Sequence, residues 1–374
     1  MYNTKATLQN MHRMLSSPLY RVFFLKDGFS HIICINSPIR NIFINCKNNL
    51  SLKKTIPMLT QFKQFIENKL KLDAGNKILL AVSGGADSIA MLHLFSRTEF
   101  QCGIAHCNFH LRGNESDLDE ILVKKLGEKY KFPYYKMDFE TKQYADENGI
   151  SIEMAARELR YTWFEKIRQE NNYHFIATAH HQDDLIETFF INLTRGTGIR
   201  GLTGFRQKKD KIIRPMMFAN RESISEFILT EKLEYREDES NSDVRIIRNK
   251  FRHIILPAFE EINASYRQNI LQSIENLHDA EILMNSEVIK ARTDIVKKSD
   301  EKIVIHIDKL LEYRTIHPYL FEILQPYGFN PEQIKDIEKA LESESGKSFF
   351  SDDYQLVKDR NTLVMAPNKK KGTS

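Results

Sequence analysis

The 374-residue sequence predicts an open, mostly parallel α/β sheet with helices on both faces, followed by a smaller mainly helical domain. Three observations carry this. Short apolar runs alternate with longer helical patterns between residues 77 and 193, the rhythm of strands joined by crossover helices. A glycine turn separates the apolar run Lys77-Ile78-Leu79-Leu80-Ala81-Val82 from the helical pattern after it. Beyond Arg214-Pro215 the strand signals stop and helical spacing takes over.

Taken in order, residues 1–57 carry eight Lys and Arg against one acid, Asp27, with no clear period. They read as a basic extension, disordered or lying upstream of a start at Met58. A short amphipathic helix is expected over 59–71. Strands are expected at 77–82, 101–107, 133–138 and 173–178, and helices at 87–97, 115–130, 152–171 and 182–193. Residues 220–233 and 260–292 read as helices. Residues 303–363 mix short strands and helices, with Gly328-Phe329-Asn330-Pro331 turning into a helix over 331–343. The domains expected are therefore 1–57, a catalytic domain 58–218, a linker 219–250 and a terminal domain 251–374.

The turn Ser83-Gly84-Gly85-Ala86-Asp87-Ser88 is the most informative segment. A strand, a glycine turn and a helix N-terminus in that order converge backbone N–H groups on an anion. Glycines admit positive φ and close ligand approach. Ser83 and Ser88 add hydroxyl donors. Asp87 would repel a bare phosphate, which points to a bridging Mg²⁺. No Lys follows the glycines as in a Walker A loop, and their spacing is not that of a dinucleotide fold.

Further chemistry collects near the expected strand ends, where open α/β sheets bind ligands. His110 and Arg112 leave the second strand, and a guanidinium there grips phosphate oxygens in pairs. Glu153, Arg157, Arg160 and Tyr161 share one helix face, two cations with a single acid, leaving room for a phosphate or RNA backbone. His180, Asp184 and Glu187 are expected to form one helical stripe, whose acids suit a cationic amine. The glycine-rich run from Arg195 to Gly204, with Arg200, reads as a lid over phosphates, and the acidic run 237–243 follows the linker.

Composition narrows the classes. A net charge of +4 excludes a strong polyanion-binding tail, so any nucleic-acid surface must come from local clusters such as 206–211 and 369–371. The four cysteines, at 34, 46, 102 and 107, hold no Cys-x-x-Cys pair, which speaks against zinc or iron–sulfur sites and for reduced thiols in the cytoplasm. No apolar stretch approaches bilayer-spanning length.

The Ser-Gly-Gly-x-Asp-Ser loop resembles that of the N-type ATP pyrophosphatases. The later blocks, His110-Leu111-Arg112, Arg157-Glu158-Leu159-Arg160-Tyr161, His180 to Thr188, Arg195-Gly196-Thr197-Gly198, Arg214-Pro215 and Glu237 to Asn241, are together similar to the tRNA(Ile)-lysidine synthetase family over roughly residues 59–365. The resemblance implies ATP-dependent ligation of L-lysine to C2 of the wobble cytidine in the CAU anticodon of tRNA(Ile), through an adenylated cytidine. It implies ATP on Ser83, Gly84, Gly85, Ala86, Asp87 and Ser88, Mg²⁺ at Asp87, and catalytic roles for Asp87, His110, Arg112, Arg157, Asp184 and Glu187. Asp184 and Glu187 would bind the lysine ammonium. A further C-terminal domain usual in the family is expected to be absent or shortened, and a homodimer stays open. The alternatives are a tRNA 2-thiolation-type ligase on the same fold and a non-catalytic tRNA-binding protein.

Overall fold

A computed structural model describes three strand segments, 20–24, 30–34 and 43–44, and residues 57–237, 247–299 and 302–368. The chain divides into two compact units, 1–57 and 58–374. In the first, β1 (Tyr20–Phe24), β2 (Ser30–Cys34) and β3 (Phe43–Ile44) pair antiparallel in that order. The composition of 1–57 did not lead us to expect these strands.

The second unit opens with α1 (Met58–Phe65) and then builds a six-stranded sheet from β4 (Lys77–Ala81), β5 (Gln101–Asn108), β6 (Tyr134–Asp138), β7 (Phe175–Ala177), β8 (Lys208–Lys209) and β9 (Ile212–Ile213). Its order is β6-β5-β4-β7-β9-β8, parallel except for β8 against β9. The chain winds outward through β5 and β6 and then returns to place β7 beside β4. The strand order thus reverses between β4 and β7, the point in an open α/β sheet where a ligand crevice lies outside the carboxyl ends of the strands.

Alternation along β4 explains why both faces are covered. Ile78, Leu80 and Val82 join the core on one side, with Ile89 and Leu92 of α2 (Ala86–Ser96) and Leu122 and Leu126 of α3 (Asn114–Tyr130). Leu79 enters the core on the other side, with Trp163 and Phe164 of α5 (Ile152–Glu170). Between them in sequence, α4 (Thr141–Asn148) is polar and mostly exposed. Ser151 caps α5, accepting the Met154 N–H at 3.2 Å. The remaining helices of this half are α6 (Gln182–Thr194), α7 (Ile199–Leu202) and α8 (Arg221–Glu231).

After α9 (Ile247–Lys250), a π-helical turn at Phe251–Ile255 and α10 (Leu256–Ile262), a 30-residue helix α11 (Tyr266–Ile295) runs into the terminal region. The sequence reading, a smaller and mainly helical domain with short strands mixed among helices over 303–363, understates how far those strands join up. They form a five-stranded antiparallel sheet, β10 (Val296–Lys298), β11 (Ile303–His306), β14 (Thr362–Pro367), β13 (Tyr354–Asp359) and β12 (Ser348–Phe350) in that order. Helices α12 (Ile307–Leu311), α13 (His317–Leu324) and α14 (Pro331–Ala340) share its core through Leu310, Leu320, Ile334 and Ile337. Among the described residues no helix is long and apolar enough to cross a membrane.

Candidate active site

The loop after β4 has the shape its glycines imply. Gly84 sits at φ +97°, and a Cβ there would come within 3.2 Å of the Asp119 Cβ. The Gly85 N–H donates to Ser83 Oγ at 3.4 Å, the Ser83 N–H to Ser88 Oγ at 3.2 Å, and Ser88 Oγ to the Gly85 carbonyl at 2.9 Å. Gly85 precedes the first turn of α2, whose early N–H groups face the loop without helical partners. Asp87 stands in that first turn, its carboxylate 39% exposed and 3.6 Å from His181 Nε2.

Opposite, the end of β7 delivers His180 and His181. The expected stripe of His180, Asp184 and Glu187 is corrected here: the helix starts only at Gln182, after the N-cap His181, and His180 lies before it. His181, fully buried, is the N-cap. Its Nδ1 accepts the Asp183 N–H at 3.2 Å, while Asp184 Oδ2 accepts the His181 N–H at 3.0 Å. With Nδ1 accepting, the ring proton is on Nε2, between Asp87 and Asp184. Burial disfavours charge on Asp184, but His181, His180 and the capped amide hold its carboxyl below the usual range. His180 Nδ1 lies 2.9 Å from Thr178 Oγ1, and burial, reinforced by Arg214, Arg248 and Arg157 against Asp184, brings its imidazole down to about 4.

Glu187 is fully buried within three guanidinium groups. Arg252 meets both its oxygens, at 2.9 and 3.2 Å, Arg221 lies at 3.4 Å and Arg248 at 3.4 Å. The expectation that Glu187 receives a substrate ammonium is therefore corrected: its charge is already matched. Asp183 is likewise committed, to the Arg221 N–H at 2.7 Å and to the Arg267 side chain.

The remaining predicted residues divide. Arg112 does not point free toward phosphate; it pairs with the buried Asp119 at 2.6 Å. Asp119 also meets Arg236 at 3.0 Å, and the Arg236 N–H donates to the Gly84 carbonyl at 3.1 Å. His110, half exposed at φ +50°, pairs with Asp138 at 3.0 Å. Arg157 stacks on Tyr161 at 4.9 Å and Arg160 on Phe109 at 5.0 Å. Neither guanidinium forms an ion pair among the described residues, and Glu153 forms none with Arg157. In the glycine-rich run, Arg200 is bound to Glu322 at 2.6 Å, so it is fastened to α13 and is not a free lid cation. Arg206 and Lys208 of the basic cluster 206–211 hold Glu281 and the Leu70 carbonyl respectively. Most of the acidic run 237–243 and the cluster 369–371 lie outside the described residues.

Sequence reasoning missed Asp119, Phe205 and the structural use of Arg214. Arg214 is buried, its Nη1 donating to the Arg206 carbonyl at 2.6 Å and its guanidinium 4.9 Å over the Phe205 ring, which lies 5.1 Å from that of His180. The neighbouring Pro215 marked Arg214 as notable without saying what it touches. Cys102 and Cys107 pack into cores on opposite faces of the sheet, and burial pushes both thiols up to about 12, so neither is poised as a sulfur carrier.

Residues 55–259 match the model of the PP-loop domain, and residues 298–368 that of the TilS substrate binding domain. The tRNA(Ile)-lysidine synthase of Bacteroides thetaiotaomicron is 44% identical over 302 residues, covering 81% of this chain and 70% of that relative. The chain belongs to the tRNA(Ile)-lysidine synthase family. The namesake enzymes of Parabacteroides distasonis, 40% identical over 314 residues (84% of this chain, 71% of the relative), and Petrotoga mobilis, 32% over 310 residues (81% and 96%), extend the similarity. Membership in the tRNA(Ile)-lysidine synthase family brings the loop at 83–88 under its PP-loop domain and implies use of ATP.

Proposed function

We propose that the protein ligates L-lysine to C2 of the wobble cytidine of a CAU-anticodon tRNA(Ile), using ATP. The observation that carries this is the pairing of the phosphate-shaped loop on β4 with the His180 to Glu187 segment on β7, across one crevice, in a chain with both family domains. ATP phosphates lie on Ser83 to Ser88. The exposed Asp87 carboxylate at a helix N-terminus suits Mg²⁺, which takes one or two carboxylates and completes its shell with phosphate oxygens and water. Such an ion, when bound, supplies charge neutralisation on the polyphosphate.

The C2 oxygen of cytidine attacks the α-phosphorus, pyrophosphate leaves, and the lysine ε-amine then displaces AMP. Arg157, with no acidic partner among the described residues, is the cation assigned to offset charge growing in this step; Arg112 acts through Asp119 on the shape of the loop. The amine must shed a proton before attack, its free pKa being ~10.4. Asp184, ionised and only partly used by its cap, is assigned as the base. Assembly as a homodimer and residence in the cytoplasm belong to the same reading.

The test is incubation of the purified protein with ATP, labelled lysine and total tRNA. Label in a single tRNA(Ile), released as lysidine on nuclease digestion, is expected. Sulfur incorporation, or tRNA binding without label transfer, would replace the reading with one of its rivals.

A further inference from the structure

Glu281 lies on α11, outside every motif in the sequence, and is buried. A carboxylate is costly to bury unless its partners are fixed around it. Its Oε2 accepts from Thr203 Oγ1 at 3.0 Å and from Arg206 Nη2 at 2.6 Å, and Arg200 Nε lies 3.9 Å from Oε1. Thr203 and Arg206 flank the turn Gly204-Phe205. Gly204 sits at φ +64°, so close to α6 that a Cβ there would come within 2.8 Å of Leu185 Cδ1. The turn therefore has little freedom on its α6 side, and Glu281 holds it from the α11 side.

What the turn presents is Phe205, between the His180 ring at 5.1 Å and the Arg214 guanidinium at 4.9 Å, while the Arg206 carbonyl takes the Arg214 Nη1–H. We propose that Glu281 is a positioning residue for lysine transfer: through Thr203 and Arg206 it seats Phe205 and Arg214 against His180. This rests on the activity proposed above. It adds that a residue of the long C-terminal helix, touching neither ATP nor the phosphate loop, sets the geometry of the β7 side of the crevice.

The test uses the full chain with ATP, lysine and a tRNA(Ile) transcript, comparing wild type with Glu281→Ala, Glu281→Asp and Arg206→Gln. Loss of the anchor is expected to lower kcat for lysidine formation about 10- to 100-fold, with the ATP dissociation constant kept within about twofold, because a small misplacement acts on the reacting geometry and not on the distant loop. Glu281→Asp should recover part of the rate. In ¹H–¹³C spectra, the titration midpoint of His180 should move up from about 4 as Phe205 and Arg214 unseat. Arg206→Gln removes one contact while leaving Glu281 with Thr203 and Arg200, so it supplies the answer if Glu281→Ala does not fold. Unchanged kcat and an unmoved His180 midpoint in Glu281→Ala and Arg206→Gln, or in Arg206→Gln alone where Glu281→Ala does not fold, would overturn the proposal, as would loss of ATP affinity in parallel with kcat. A wild type that binds ATP but forms no lysidine would overturn the activity itself, and the His180 midpoint would still decide whether Glu281 seats the turn.

Discussion

At the scale of single residues, position decides which acids do chemistry and which hold structure. Asp87 is accessible at the phosphate loop. Asp87→Asn is expected to keep the fold while removing ~2–4 kcal/mol of transition-state stabilisation, read as loss of tRNA-dependent pyrophosphate release. Glu187 behaves otherwise. Glu187→Gln leaves three guanidinium groups around a buried neutral amide and should cost about 3–5 kcal/mol of stability in urea unfolding, without a selective rise in KM for lysine. His180 gives a pH signature. Its imidazole, facing Asp184, Arg214, Arg248 and Arg157 and next to His181, binds its proton near 4 in the folded chain against an ordinary 6.5. The unfolded chain therefore takes up more protons between those values, and stability falls as pH drops through that window. The urea midpoint of His180→Gln should fall less than that of wild type between pH 7 and pH 5. The phosphate loop could be recognised from sequence because its chemistry is contiguous. The role of Glu187 could not, because its arginines lie 34 to 65 residues downstream.

At the scale of elements, legibility followed burial. The strands at 77–82, 101–107 and 173–178 were readable because strands covered on both faces are largely apolar, while the edge strand at 133–138, with Lys136 and Asp138 exposed, was readable from its Tyr and Met residues. The helix α4 escaped because its sequence, TKQYADEN, carries no apolar stripe. The strands β8 and β9 are two residues each, and Lys208 and Lys209 read only as part of the basic cluster 206–211. In the terminal region, β10 continues directly from α11, so its short Val296-Lys297-Lys298 run merges with the helical pattern. Gly204 joins element to element: Gly204→Ala imposes a strained φ and drives a methyl into Leu185, and it should cost roughly 1–3 kcal/mol in urea unfolding. A wild-type midpoint in that variant would show that the turn is looser than its contacts imply.

At the scale of the whole molecule, the boundary expected at residue 250 does not separate two independent parts. Arg252 reaches Glu187, Arg267 reaches Asp183, and Glu281 reaches Thr203 and Arg206. A fragment ending near 250 would take Arg252 from the buried Glu187 and Arg267 from the buried Asp183. Truncation after Ile295 leaves those pairs in place and removes the segment 298–368 that matches the substrate binding domain. That fragment should bind ATP normally while losing tRNA affinity together with much of its salt dependence, since backbone contacts carry affinity through released counterions. Unchanged tRNA affinity at two salt concentrations would place the RNA contacts elsewhere.

The helix α11 touches the crevice side through Arg267 and Glu281 and enters the terminal core through Ala291 and Ile295. It has the proportions of a lever arm: Arg267 and Glu281 stand ~21 Å apart along the axis at about 1.5 Å per residue. Pivoting at Arg267 by ~5° sweeps Glu281 through roughly 2 Å, enough to trade a hydrogen bond to Arg206 for none. On that geometry, any tilt of the rod would be felt first at the Glu281 hydrogen bond to Arg206, beside the turn that carries Phe205.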